Sequence, residues 1–199
     1  MMNTAPKLHH LNAWDRPSSK PTSRIASTGR AALDEMLPDG GWPKHGVVEI
    51  IVPDDHAGAI DLVLPALRQL ARQGRWIAMV TPPLPARSSL FTDAVINANK
   101  VLQVNPHPGR SALWTVESML ETGDCAAVLA WPGCDTELMD KRLQMAAVRG
   151  KSLCVLFRSE SHAGCRSAVD VRLRLEVSEA GRAIYRLNSQ GRTLSGTTL

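Results

Sequence analysis

The sequence predicts an α/β fold: a mostly parallel central sheet flanked by helices, with a C-terminal antiparallel hairpin. Apolar segments rich in β-branched residues alternate with segments of helical periodicity along residues 46–157. The last two extended segments, 169–178 and 182–189, are separated only by a short Glu-Ala-Gly turn, as in a hairpin. The chain has 199 residues, of which 44% are hydrophobic, so it is long enough to bury one such core.

The first predicted element is a short helix that Ser27 or Thr28 can cap, with apolar surface from Ala31, Leu33, Met36 and Leu37. It ends at Pro38, which is followed by a Gly-Gly pair. Trp42 then lies between glycine and proline, just before the first strand. We interpret this tryptophan as a packing plug at the entrance to the sheet.

The following elements alternate in type. The strands are apolar runs of four to seven residues, and the helices carry apolar residues three and four positions apart. For example, Leu62, Leu67 and Leu70 share one side of the first crossover helix, and Ser111 can cap the third. Strands are predicted at 46–52, 75–80, 100–105, 125–131 and 151–157, and helices at 60–74, 87–98, 111–123 and 136–149.

The chain divides into three predicted segments. Residues 1–24 are rich in Pro, Ser, His and Lys without periodicity, which predicts a flexible N-terminal tail. Residues 25–191 form the α/β domain, and 192–199 a C-terminal tail. No stretch approaches the roughly 18–20 apolar residues that span a bilayer, and the N-terminus lacks an apolar signal segment. We therefore expect a cytoplasmic protein without membrane contact.

The loop after the first strand is where a doubly wound sheet binds phosphate. A working P-loop, G-x-x-x-x-G-K-[ST], uses backbone N–H groups, a lysine and a hydroxyl. This position holds neither the first glycine, nor the lysine, nor the hydroxyl, and two adjacent carboxylates would repel a triphosphate. It reads Val52, Pro53, Asp54, Asp55, His56, Ala57, Gly58, Ala59 and Ile60. We therefore predict a degenerate P-loop and no nucleotide cofactor.

The sequence offers no other catalytic signature. The strand at 125–131 ends in Trp-Pro-Gly, with no aspartate to hold Mg²⁺. The four cysteines lack the C-x-x-C spacing of a zinc or redox site. No carboxylate pair, Ser-His-Asp set or cluster of metal ligands has a recognisable spacing. We predict no catalytic residue, no metal site and no enzymatic activity, so the protein would act by contact with partners.

Charge is unevenly distributed along the chain. Residues 141–199 carry a balance of +7, against −3 for residues 1–140. A basic C-terminal region favours an acidic protein or polyanion partner, although an arginine-rich sheet edge that blocks aggregation would look the same. Arg172 and Arg174 share one face of a predicted strand. The candidate partner-binding residues are Arg166, Arg172, Arg174, Arg182, Arg186 and Arg192.

The string TGRAALDEMLPDGGWPKHGVVEI resembles the ImuA family, RecA-like proteins of bacterial mutagenesis cassettes. The resemblance continues through LPALRQLARQGRWIAMVTPP, ALWTVESMLETGDCAAVLAW and KRLQMAAVRGKSLCVLFR, and covers roughly residues 25–178. It implies a RecA-like, P-loop NTPase-type fold and an SOS-induced adaptor of a translesion DNA synthesis complex. The implied partners are an ImuB-like Y-family polymerase homologue and an error-prone replicative-type DNA polymerase, with RecA or DNA contacted indirectly.

The middle of the chain, RWIAMVTPP and TVESM, also resembles SulA, the SOS-induced inhibitor of the division GTPase FtsZ. The alternative function is therefore inhibition of cell division by binding FtsZ. Its candidate contacts are Trp114, Glu117 and the surface around Arg68–Arg75. Trp114 and Trp131 also lie in apolar elements, which predicts core positions for both. The chain length, the helix and GGWP lead-in before the first strand, and the basic hairpin after residue 168 favour ImuA. The basic C-terminal region leaves residual DNA or nucleotide binding as a third hypothesis.

Overall fold

The computed structural model describes residues 24–53, 59–83, 91, 94, 96–106, 111–132, 137–179 and 181–199. The strands in this part of the chain are β1 (Ile25–Ala26), β2 (Trp42–Pro43), β3 (Gly46–Val52), β4 (Trp76–Val80), β5 (Val101–Val104), β6 (Cys125–Ala130), β7 (Leu153–Ser159), β8 (Val171–Ser178), β9 (Gly181–Leu187) and β10 (Thr193–Thr198). The helices are α1 (Ala31–Met36), α2 (Leu64–Ala71), α3 (Ala112–Glu121) and α4 (Glu137–Arg149).

Eight strands form one mixed sheet in the order β10-β9-β8-β3-β7-β6-β4-β5. The six strands from β8 to β5 in that order pair in parallel, and β9 and β10 add antiparallel pairs at one end. All seven residues of β3 are buried because it lies between β7 and β8 with layers on both faces. β1 and β2 form a separate antiparallel pair.

Two apolar layers cover the two faces of the sheet. On one face, Leu33 of α1 and Leu67 of α2 pack on a cluster that includes Ile50 and Leu173. On the other face, helices α3 and α4 pack on alternate residues of the same strands, such as Val47. The alternation in β3 thus assigns every second residue to a different layer, and Glu49 points toward the layer of α3 and α4.

Trp42 is fully buried and joins the first layer, which confirms the prediction of a packing plug. The predicted capping residues of the first helix have a different role. Arg30 takes the cap position of α1, and the Thr28 N–H donates instead to Asp34 Oδ1 at 2.8 Å. The contact anchors the segment that leads into the helix.

The predicted C-terminal tail at 192–199 instead contains the edge strand β10. Asn188 Oδ1 accepts from the N–H groups of Gln190 and Arg192, each at 2.9 Å, and Gly191 adopts φ +81°. This turn reverses the chain, so β10 pairs with β9 although its side chains are mostly exposed. Of the predicted N-terminal tail, only Arg24 lies among the described residues.

The strands predicted at 46–52, 75–80, 100–105, 125–131 and 151–157 are confirmed to within two residues at each end. The helix predicted at 87–98 falls mostly outside the described residues. In the described part of the chain, no helix is both long and apolar enough to cross a membrane.

Candidate partner-binding face

Five large apolar side chains are 37–60% exposed on the side of the sheet that carries α3 and α4. They are Trp76, Leu102, Trp114, Met145 and Val148. Scattered exposed apolar residues are ordinary, but several on one face mark a surface suited to contact with another protein. We call the surface formed by these five residues the α3–α4 face.

A groove at one edge of this face lies between the sheet and α3. Trp76 of β4 and Leu102 of β5 form its apolar wall, and Met119 of α3 lies opposite. The volume of the groove is about 290 Å³. Lys100 Nζ lies 4.7 Å from the centroid of the Trp76 ring, a cation–π contact that places positive charge at the rim. The groove therefore suits an apolar side chain next to a carboxylate.

Two ion pairs hold the helices of the face side by side. Arg142 of α4 donates to both carboxylate oxygens of Glu117, from Nε at 2.9 Å and from Nη2 at 2.5 Å. The second pair lies one turn further along α3 and two turns further along α4, where Arg149 Nη1 is 3.6 Å from Glu121 Oε1. Glu117 is one of the predicted contact residues. Its carboxylate is already bound by Arg142 in a bidentate pair, which holds the Arg142 side chain against α3. The apolar residues of the face thus lie among neutralised charges.

Trp114 is 49% exposed, so the prediction of a core position for it is wrong. Its neighbours Leu113 and Val116 are fully buried instead, because they occupy the stripe of α3 that faces the sheet. Trp131 is partly buried and stacks on Phe157, with ring centroids 4.7 Å apart. Trp114 therefore belongs to the surface, and Trp131 to the packing at the ends of the strands.

The predicted surface around Arg68–Arg75 is divided by the fold. Arg68 on α2 and Arg72 directly after it are exposed, on the opposite side of the sheet from Trp114. Arg75 turns inward and donates to the carbonyl oxygens of Cys125, Gly150 and Lys151 at 2.5–2.7 Å. The structure therefore places Trp114 and Glu117 on the same helix and neither of them beside Arg68. Arg75 has a structural role, because its hydrogen bonds connect the start of β6 to the residues that follow α4.

The six arginines predicted to bind partners fall into two groups. Three form ion pairs with other residues of the same chain: Arg172 with Glu49, Arg174 with Glu176, and Arg182 with Asp61 at 2.7 Å. The other three make no ion pair with any described residue, and they are Arg166, Arg186 and Arg192. Arg174 and Arg182 stay partly exposed, with 29% and 28% of their side chains accessible.

Arg172 departs from its predicted role because it is buried, with 3% exposure. Its guanidinium donates to Glu49 and to the carbonyl oxygens of Cys165 and His162, at 2.8 and 2.7 Å. The segment after β7 folds over this end of β8 and covers it. Strand alternation correctly placed Arg172 on the face of Arg174 but did not reveal that cover.

Glu49 belongs to a buried network that the sequence analysis missed. Its Oε1 lies 3.2 Å from Arg158 Nε, and Arg158 Nη2 lies 2.9 Å from Asp140 Oδ1. Asp140 Oδ2 also accepts from the Ser167 hydroxyl at 2.9 Å. A lone carboxylate inside the apolar run GVVEIIV was the available signal, because a buried charge requires a partner.

The predicted phosphate loop is only partly described. Val52 and Ala59 are buried at its two ends, and Ile60 packs against the core. Asp54, Asp55, His56, Ala57 and Gly58 lie outside the described residues. Among the residues that the structure covers, no three His, Cys, Asp or Glu side chains group as metal ligands would.

Comparison with known proteins identifies the relatives of this chain. The family model described as "Cell division inhibitor SulA" matches residues 46–154. The chain is 34% identical over 119 residues to a cell division inhibitor SulA of Erwinia pyrifoliae, covering 57% of this chain and 69% of that protein. A SulA of Yersinia pestis is 30% identical over 112 residues, covering 56% and 67%. A crystal structure of SulA from Pseudomonas aeruginosa aligns with a TM-score of 0.45 at 22% identity, covering 56% of this chain and 97% of that one.

This family match overturns the main interpretation of the sequence. The RecA-like, P-loop NTPase-type fold is wrong, and with it the degenerate P-loop, since the matching family is SulA. The role as a translesion synthesis adaptor with polymerase partners is also wrong. Strand–helix alternation is common to many α/β folds and does not distinguish between them. The features that favour ImuA are the lead-in before residue 46 and the hairpin after 168, and both lie outside the match.

Proposed function

Since the chain belongs to the SulA family of cell division inhibitors, we propose that it inhibits cell division by binding the division GTPase FtsZ. The observation that carries this proposal is the family match over residues 46–154, more than half of the chain. That segment includes β3 to β6, all of α2 to α4, and every residue of the α3–α4 face.

The α3–α4 face is the surface that we propose to contact FtsZ. Trp114 offers a large, half-exposed ring on α3, the helix that borders the groove, and Met145 and Val148 extend the apolar area on α4. Large aromatic side chains contribute most to binding when a partner covers them fully. The groove between Trp76 and Met119 would accept one apolar side chain of FtsZ, with Lys100 pairing an acidic neighbour.

This mode of action requires no chemical step. A protein that covers a surface of FtsZ needed for assembly removes one subunit from polymerisation for each molecule bound. We therefore expect inhibition to depend on the molar ratio of the two proteins, and to be lost when FtsZ is in large excess.

The test is sedimentation of purified FtsZ polymers in the presence of GTP, with increasing amounts of this chain. We expect Trp114→Ala to weaken FtsZ binding by about 2 kcal/mol, or roughly thirtyfold, as for an interface hot spot. Val177→Ser is the matched control, because Val177 is 58% exposed but lies on β8, outside the face.

The outcomes separate the function from the surface. If the unmodified chain in molar excess leaves FtsZ polymers intact, the proposed function is wrong. If the chain inhibits and Trp114→Ala inhibits equally well, the function stands and the α3–α4 face is not the contact surface.

A further inference from the structure

A second pocket lies at the opposite end of the sheet from the groove. Its volume is about 310 Å³. Its apolar lining residues are Pro38, Val169, Val171, Leu187 and Leu194. Leu194 is 55% exposed where β10 bulges away from β9, so the pocket opens to solvent beside it. We call this cavity the C-terminal pocket; none of its lining residues falls within the family match.

Three arginines without a carboxylate partner among the described residues lie in the lining of this pocket or close to it in the chain. Arg186 lines it and donates from Nη1 to the carbonyl of Met36 at 3.1 Å. Arg166 directly precedes Ser167, a lining residue, and Arg192 ends the turn that contains Ser189, another lining residue. Both Arg166 and Arg192 are exposed.

The two segments that carry Arg166 and Arg192 are held against each other. The Ser167 N–H donates to the Ser189 carbonyl at 2.9 Å. A Cβ on Gly191 would lie 2.1 Å from the Ala163 carbonyl oxygen, so only glycine permits this approach. Arg166 and Arg192 therefore lie on two segments that are fixed to each other and not on independent loops.

The other charges of the pocket are already neutralised or engaged. Arg172 lines the pocket but is paired with Glu49. Asp170, the carboxylate among the lining residues, accepts from the Val47 N–H through Oδ2 at 2.8 Å. Asp170 keeps its charge, but three arginines without a carboxylate partner lie in or next to the lining, so the positive charge here exceeds the negative. An apolar cavity with this excess is complementary to an apolar side chain flanked by carboxylates.

We propose that the C-terminal pocket binds an acidic segment of a partner protein, with one apolar side chain in the cavity and carboxylates on Arg166, Arg186 and Arg192. The lining favours a peptide over a nucleic acid, because no described lining residue is aromatic and bases stack chiefly on aromatic side chains. β10 and β5 are seven strand spacings apart in the sheet, roughly 34 Å. The partner and FtsZ could therefore bind at the same time, so this site adds to the proposed function and does not depend on it.

The test uses the full chain and fluorescence anisotropy at low salt. The probes are a labelled peptide pool with one leucine or phenylalanine among aspartates, the same pool with lysines in place of aspartates, and labelled single-stranded oligothymidylate. We expect the acidic pool alone to bind. Arg166→Glu with Arg192→Glu should weaken binding about tenfold, and Leu194→Ser should weaken it as well.

Arg72→Glu is the matched control, because Arg72 is an exposed arginine at the end of α2 and does not line the pocket. It should leave peptide binding unchanged. The proposal is overturned if the acidic pool does not bind, or if oligothymidylate binds in its place. It is also overturned if the double variant binds the acidic pool as well as the original chain does. A dimer in sedimentation velocity that Leu194→Ser abolishes would overturn it too, because the pocket would then be a self-association surface. The double variant should still inhibit FtsZ assembly, which keeps this result separate from the proposed function.

Discussion

Glu49 and Arg172 lie opposite each other on the neighbouring parallel strands β3 and β8 and form an ion pair that is almost entirely closed to solvent. Arg158 and Asp140 extend the pair to α4, so two carboxylates and two guanidinium groups balance within one buried network. Removing charges from water is costly, and their mutual attraction offsets that cost only while each charge keeps its partner.

We predict that Arg172→Met destabilises the protein by about 3–5 kcal/mol, because the Glu49 carboxylate is left with an incomplete set of partners. Unfolding in guanidinium chloride, followed by circular dichroism, measures the change in the free energy of unfolding. Arg166→Met is the control, because Arg166 is exposed, and its effect should stay within about 0.5 kcal/mol. Equal stability of the two variants would show that the network contributes little to folding.

Gly150 follows α4 at the point where it meets the end of α3. A Cβ at this position would lie 1.7 Å from the backbone oxygen of Leu120, which cannot move independently of α3. We predict that Gly150→Ala costs about 3 kcal/mol or more, as other forced overpacking does. Gly164→Ala, where a Cβ meets nothing within 4 Å, should be near neutral in the same thermal unfolding experiment. A small loss for Gly150→Ala would mean that the two helices can separate at little cost.

The thiols differ in access to solvent. Cys165 is exposed, whereas Cys125 and Cys154 are buried. Burial raises the pKa of both buried thiols, although Arg75 opposes the shift at Cys125 and Arg158 opposes it at Cys154. In a Cys134→Ser background, we predict that a disulfide reagent at about pH 8 modifies Cys165 rapidly and the other two only after denaturation. Rapid reaction of all three in the native protein would contradict the described packing.

His45 introduces a dependence of stability on pH. Desolvation lowers its pKa below the ordinary value of 6.5, and Arg75, Lys151 and Lys44 lower it further. The unfolded chain therefore binds the proton more readily than the folded one, so stability decreases as pH falls through the unfolded value. His45→Gln should lose less stability than the original chain between about pH 7 and about pH 5. Titration by NMR should also show the pKa of His45 rising in Lys151→Met; an unchanged value would exclude that lysine as a cause.

The strands and helices that the sequence predicts are those whose own side chains show an apolar pattern. β6 is a continuous apolar run, and β3 is one apart from Glu49, because both faces of each strand are covered; this pattern fixes their position. β10 has the sequence TLSGTT, which has no apolar alternation, because backbone pairing with β9 places it. Its existence depended on the turn at 188–192, whose role could be seen only in three dimensions.

The candidate site was less predictable than the fold elements. Leu113 and Val116 lie three positions apart on the buried stripe of α3, but Trp114, only one position from Leu113, turns outward, and its apolar surroundings in the sequence do not distinguish the two cases. Trp76 and Leu102 come from two strands whose adjacency at the sheet edge a linear pattern does not specify. The choice between two related families failed for a similar reason, because the flanking segments that guided it do not belong to the matched portion.

The boundary of the family match falls inside the folded body and not between separable units. A chain shortened to residues 46–154 would retain Glu49 and lose both Arg158 and Arg172, and it would leave the β8 side of β3 without a neighbour. Such a fragment would carry an uncompensated charge and an open apolar strand, which are conditions for aggregation. Residues 46–154 therefore depend on the residues that follow them for the balance of a buried charge and for the cover of β3, so a transplant of this fold needs both parts.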